Sequence, residues 1–151
     1  MMGENYRNLN YNIETVEYGD QITYETWSNI VYEAVIENLE RFTDEDWDQL
    51  FSELPRKSVL WKRRLCDCLW LPDPRCVKAL LCLSDTQDEE TFYMMIVNLL
   101  DLEEFIDPED MKPLCKINTK WLPPTSRANI VFREFLERYG RSSGTPDKQI
   151  P

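Results

Sequence analysis

The groups in this 151-residue chain that could do chemistry are 28 carboxylates and five thiols, with no histidine to serve them. That absence removes the commonest general base, the commonest metal ligand and every Ser/His or Cys/His nucleophile arrangement. Acid–base catalysis would have to come from a carboxylate dyad, and Glu89-Glu90 and Glu103-Glu104 are the pairs to weigh. Adjacent residues on a helix diverge, and no i, i+4 carboxylate/histidine set accompanies either pair, so the residues predict a protein that is not an enzyme.

The cysteines are Cys66, Cys68, Cys76, Cys82 and Cys115, an odd number in Leu-rich, periodic surroundings. A secreted disulfide framework would pair evenly in a loop-rich chain, so reduced and mostly buried thiols are expected. A four-cysteine zinc site from Cys66, Cys68, Cys76 and Cys82 is the sharper alternative. Cys-x-Cys on a helix points its thiols roughly 200° apart, however, and the spacing is not that of a zinc knuckle. No metal and no cofactor are expected.

Start and stop signals divide the chain into short helices. From Thr23 to Arg41 the apolar residues Trp27, Ile30, Val31, Ala34, Val35, Leu39 and Phe42 keep helical rhythm, which makes this the longest predicted helix. Thr43 with Asp46 three residues on is a variant capping box ahead of Trp47, Leu50, Phe51 and Leu54. Ser58 caps a third helix carrying Trp61, Leu65, Cys68 and Leu69, whose Lys62, Arg63 and Arg64 read as its solvent face. Asp73-Pro74 restarts the chain for Val77, Leu80, Leu81 and Leu83, because Asp accepts first-turn amides and proline's missing N–H costs nothing at N1. Asp88 caps a helix with Phe92, Met95, Ile96, Leu99 and Leu100, and Asp107-Pro108 starts one or two turns before Pro113. Residues 114–125 read as irregular. Ser126 caps a last helix with Ile130, Val131, Phe135 and Tyr139, closed by Gly140 as C′ residue. The domain plan is an N-terminal extension over 1–22, one helical domain over 23–140 and a tail over 141–151.

Helix, turn, helix, Asp-Pro, helix recurs through Leu65, Leu69, Asp73-Pro74, Val77, Leu80-Leu81, Phe92, Ile96 and Leu99-Leu100. On those residues the chain resembles the HEAT-like α-solenoid pattern, specifically the small HEAT-like immunity proteins that bacteria encode beside polymorphic toxins. The resemblance covers about residues 43–102, some two-fifths of the chain. It implies an all-α fold of antiparallel helical pairs stacked as a short solenoid or bundle, and binding to a cognate toxin. The chain departs from the pattern in having pairs shorter than the roughly 40 residues of a full unit, and in its irregular Trp121–Pro124 segment.

Charge is partitioned. Of a formal net −11, residues 1–55 hold 13 acids and 2 bases, 56–84 hold 2 and 7, 85–110 hold 10 and none, and 111–151 hold 3 and 8. Free nucleic acid is a poor partner for such a chain, since its binding relies on Lys and Arg neutralising phosphates. A basic protein suits it better: complementary charge raises the association rate while aromatic anchors supply affinity. The expected partner-binding residues are Asp85, Asp88, Glu89, Glu90, Tyr93, Glu103, Glu104, Asp44 and Asp48, with Tyr18, Tyr24 and Tyr32 as further aromatics. Part of the acidic set is accounted for by helix starts, where the dipole favours negative charge.

The expected function is therefore neutralisation of a basic, nuclease-type toxin in the cytoplasm, without catalysis. The first twenty residues hold no apolar signal-peptide core, and the run from Val77 to Leu83 is broken by Lys78 and too short to span a bilayer, so no membrane partner is expected. A nucleic-acid mimic blocking a host nuclease and a HEAT-like adaptor domain are the alternatives. Oligomeric state, the toxin's activity, and whether its active site or an exosite is covered are left open.

Overall fold

Asparagines and tyrosines disguise an apolar stripe near the start of the chain. Tyr6, Leu9 and Ile13 recur at three- and four-residue spacing, and all three are buried. They make the inner face of α1 (Glu4–Tyr18), which packs on α2 (Tyr32–Glu40), α3 (Asp44–Glu53) and α4 (Val59–Cys66). The computed structural model describes residues 3–18, 27 and 31–142. Among these it is all-helical, with eight α-helices, two 3-10 turns at Leu54–Arg56 and Glu103–Phe105, and no strand. The chain divides into two compact units, Met1–Leu71 and Pro72–Pro151.

This differs from the sequence-based domain plan, in which residues 1–22 stand apart and 23–140 form one domain. The helix α1 belongs to the first unit because its stripe is needed to cover that unit's core. Beside it lie buried Trp27, Val35, Leu39, Trp47, Leu50, Leu54, Trp61, Leu65 and Leu69. Three asparagines of α1 reach other elements: Asn5 Nδ2 donates to the Arg41 carbonyl at 2.8 Å, Asn12 Nδ2 to Asn38 Oδ1 at 3.0 Å, and Asn10 Oδ1 accepts from Trp61 Nε1 at 3.0 Å. Of the long helix expected over Thr23–Arg41, Tyr32–Glu40 is described as α-helix. Most of 23–30, with Tyr24, lies outside the described residues, as does the tail from 143.

The carboxylate of Asp46 holds two helix starts at once. It completes the Thr43 capping box of α3, accepting from Thr43 N–H at 2.8 Å while Thr43 Oγ1 accepts from Asp46 N–H at 3.4 Å. It also accepts from Tyr6 N–H at 3.0 Å and Asn5 Nδ2 at 3.1 Å, so it serves the first turn of α1 from 40 residues away. Asp46 is only 1% exposed. Burial pushes its carboxyl up, but the bonds from Thr43, Tyr6 and Asn5 outweigh this and hold it below the usual value of 3.8. The chain passes so close that a Cβ on Gly3 would stand 1.8 Å from Asp46 Oδ1, which is why glycine is required there.

In the second unit α5 (Pro74–Cys82) packs on α6 (Glu89–Asp101) and α7 (Pro108–Cys115), and α6 packs on α8 (Arg127–Ser142). The starts expected at Ser58, Asp73, Asp88 and Ser126 are present: their side chains accept from the N–H groups of Trp61, Arg75, Thr91 and Asn129 at 3.1, 2.8, 3.0 and 3.2 Å. Phe92 is fully buried between Phe132 and Trp121, with ring centroids 5.1 and 5.7 Å away and both pairs edge to face.

Three sequence-based expectations are corrected here. The helix α7 runs through Pro113 to Cys115, because buried Met111 and Leu114 anchor turns on both sides of the proline. The helix α8 continues through Gly140 to Ser142, so Gly140 is not its C′ residue. Its inner stripe is Ala128, Phe132 and Phe135, and Ile130 is 43% exposed.

Candidate functional site

The residues expected to bind a partner are distributed over both units. Asp44 and Asp48 are exposed on α3 of the first unit, and the other six acids, with Tyr93, belong to the second unit. Within it, Asp85 to Glu90 gather at the N-terminal end of α6, whereas Glu103 and Glu104 follow its C-terminal end, about 20 Å away for a helix of this length. Cross-links from Tyr93 to Arg127 and from Glu103 to Arg138 show α6 and α8 running parallel, so each end of α6 meets the matching end of α8.

At the N-terminal end, Asp88 is a cap: its Oδ2 accepts from Thr91 N–H at 3.0 Å and Thr91 Oγ1 at 2.6 Å, with Thr91 buried. Replacing Asp88 by alanine is expected to lower stability by about 1 kcal/mol, measured as a shift in the urea midpoint; Asp88→Asn should lose much less. Glu89 and Glu90 occupy the first turn of α6, where the dipole favours them, and both are exposed, as is Asp85. Tyr93 is half-buried, and the Arg127 guanidinium lies 4.4 Å from its ring centroid. That cation–π contact covers the ring with a base, so Tyr93 is not the open anchor that its position beside the acids suggests.

At the other end Glu103 is tied down. Arg138 lies 3.2 Å from it and Tyr139 donates to it at 3.2 Å. Burial, then the charge of Glu103 and its hydrogen bond, push the Tyr139 hydroxyl up to about 12. Asp110 accepts from Asp107 N–H at 2.8 Å, and Glu109 pairs with Lys112 at 3.1 Å. Much of the base-free run is thus committed to helix ends and local ion pairs. Glu104 is exposed.

Comparison with protein-family models, curated proteins and solved structures returns no match. The chemistry has to be read from the side chains alone. All five cysteines are free, with Cys66, Cys68 and Cys76 buried and Cys82 and Cys115 exposed. Burial and then Asp85 push the Cys82 thiol up, which keeps it a thiol rather than a reactive thiolate. Among the described residues no group of three or more His, Cys, Asp or Glu is placed to hold a metal, and no helix is long and apolar enough to cross a membrane.

Three features of the first unit differ from the sequence reading or escaped it. Arg64 is not a solvent-face residue: its guanidinium lies 5.2 Å from the ring centroid of buried Trp27. Tyr32 is half-buried and engaged by the rings of Trp27 and Trp70. A groove also runs along α1, lined by Tyr6, Arg7, Asn10, Tyr11, Glu14, Thr15 and Glu53. The four-residue repeats Tyr6-Asn10-Glu14 and Arg7-Tyr11-Thr15 are the signal that could have found it.

Proposed function

We propose that this chain is a binding module, without catalysis of its own, that captures a basic protein through the acidic N-terminal end of α6. The observation that carries the reading is a contrast among carboxylates. Asp73, Glu103 and Glu109 are each paired with a basic neighbour, at 3.2, 3.2 and 3.1 Å. Asp85 and Glu89 are exposed and carry no ion pair among the described residues. Exposed acids left without counter-charge on a rigid, capped helix end raise the rate of encounter with a cationic surface.

That the partner is a cognate toxin, neutralised in the cytoplasm, comes from the resemblance to HEAT-like immunity proteins. The alternating helices of the second unit would then be one short stack of that kind. The test is rescue: co-expression with a toxin encoded beside the gene should protect cells. Reversing Asp85, Glu89 and Glu90 together to lysine, with the Asp88 cap left intact, should abolish protection and slow association about tenfold or more at low salt. Undiminished protection by the triple variant would show that this end of α6 is not the contact surface.

A further inference from the structure

The groove along α1 has a volume of about 500 Å³, and Glu53 of α3 completes it. Its floor is set before any guest arrives. Tyr6 donates to Glu53 Oε1 at 3.3 Å, and Gln49 donates to the other Glu53 oxygen at 2.6 Å. Asn10 donates to Glu14, while its carbonyl oxygen accepts from Lys57 at 2.8 Å and Trp61 at 3.0 Å. Burial, then Glu53, push the Tyr6 hydroxyl well above the usual tyrosine range, so it stays a donor at any working pH.

We infer that this groove receives an arginine side chain presented by a protein partner. Two carboxylates, Glu14 and Glu53, line it from different helices, and the bond from Asn10 occupies only one oxygen of Glu14. Tyr11 is 71% exposed beside them and offers a ring face, the surface on which a planar guanidinium stacks while its fork binds a carboxylate. Glu53 already holds one cation, since Lys57 stands 3.7 Å from it and 4.9 Å from the Trp61 ring centroid, so the second oxygen of Glu14 is the acceptor offered to the guest's fork. The long-range field of this unit is acidic, since residues 1–71 carry 14 acids against 7 bases. Arg7 also lines the groove, is exposed, and opposes a cationic guest. The inference stands on a different unit from the α6 surface and does not depend on it.

The test is titration of the full-length, ¹⁵N-labelled chain with N-acetyl-arginine methylamide, and with the lysine and glutamine analogues, followed by NMR. Saturable amide shifts are expected at residues 6–15 and 53, with arginine binding about threefold or more tighter than lysine and glutamine showing no saturation. Glu14→Gln and Tyr11→Ala, both on the groove surface, should each weaken binding about fivefold, and Arg7→Gln should tighten it about twofold. Equal shifts with the glutamine analogue, or arginine-induced shifts confined to residues 85–90, would overturn the groove; the second result would still support the α6 surface.

Discussion

Replacing Asp46 by alanine is expected to cost the first unit about 3 kcal/mol, because two helix starts lose their acceptor together and their donors are left inside. Asparagine is the more telling substitution. At an ordinary helix cap it serves nearly as well as aspartate. Here Oδ1 accepts from Tyr6 N–H, while Oδ2 accepts from Thr43 N–H, Thr43 Oγ1 and Asn5 Nδ2. Whichever way the amide is turned, an NH₂ group faces a donor, so Asp46→Asn should cost almost as much as alanine. Gly3→Ala should give a smaller loss, about 2 kcal/mol, by forcing α1 off the carboxylate.

The pH dependence has a definite sign. A carboxyl held below its usual 3.8 in the fold contributes stability that is complete above that value and is lost as pH falls through the lower, folded value. Below about pH 4 the wild-type chain should therefore lose stability that Asp46→Asn never had, and the two urea midpoints should converge. Urea titrations between pH 2.5 and 7, with amide exchange at residues 4–9 as the local probe, measure both effects. An asparagine variant within about 0.5 kcal/mol of wild type at pH 7 would reduce Asp46 to a plain cap.

The same residue shows what a sequence can and cannot disclose. That Asp46 caps α3 is legible, because a capping box is a relation between positions three apart and depends on nothing else. So are Ser58, Asp73-Pro74, Asp88 and Ser126, and the buried stripes of Trp47 and Leu50 or Phe92 and Ile96, which follow from the helical period. That Asp46 also anchors α1 is not legible, since a bond from Tyr6 N–H spans 40 residues and leaves no periodic trace. The role of α1 was hidden for a related reason: its Asn residues suggest a solvated segment until their partners on other elements are known. Pro113 and Gly140 misled in the opposite sense, because packing on α7 and continuation of α8 overrode local helix-breaking signals worth about 1–3 kcal/mol. For the candidate site residues, the sequence shows which segments are rich in acids. It could not show that Arg127 covers Tyr93, that Arg138 and Tyr139 hold Glu103, or that one helix separates the two acidic groups.

Phe92→Ala should produce the largest loss of any single substitution in the second unit, about 4 kcal/mol. The side chain is fully buried, and its edge-to-face contacts with Trp121 and Phe132 tie α6 both to α8 and to the irregular segment before it. Phe92→Leu keeps most of the volume and should cost about 1.5 kcal/mol; Leu100→Ala, at a half-buried position of the same helix, should cost less than Phe92→Ala. Trp121 is the only tryptophan in Pro72–Pro151, so a background in which the other four are phenylalanine would report this unit alone. There Phe92→Ala should red-shift the Trp121 emission and lower its urea midpoint. The consequence reaches the proposed surface, because Phe92 follows Thr91, which donates to the Asp88 cap, and fixes the direction in which Asp85, Glu89 and Glu90 are presented. Phe92→Ala should therefore weaken partner binding without changing a charge, chiefly by raising the dissociation rate. The lysine triple variant should act chiefly on the association rate, and its loss of stability, about 1–2 kcal/mol from placing cations in the dipole-favoured first turn, should stay well below that of Phe92→Ala. If both variants slowed association equally while Trp121 emission stayed native, α6 would be a charged rod whose orientation does not matter, and the case for a shaped contact surface at its N-terminal end would fail.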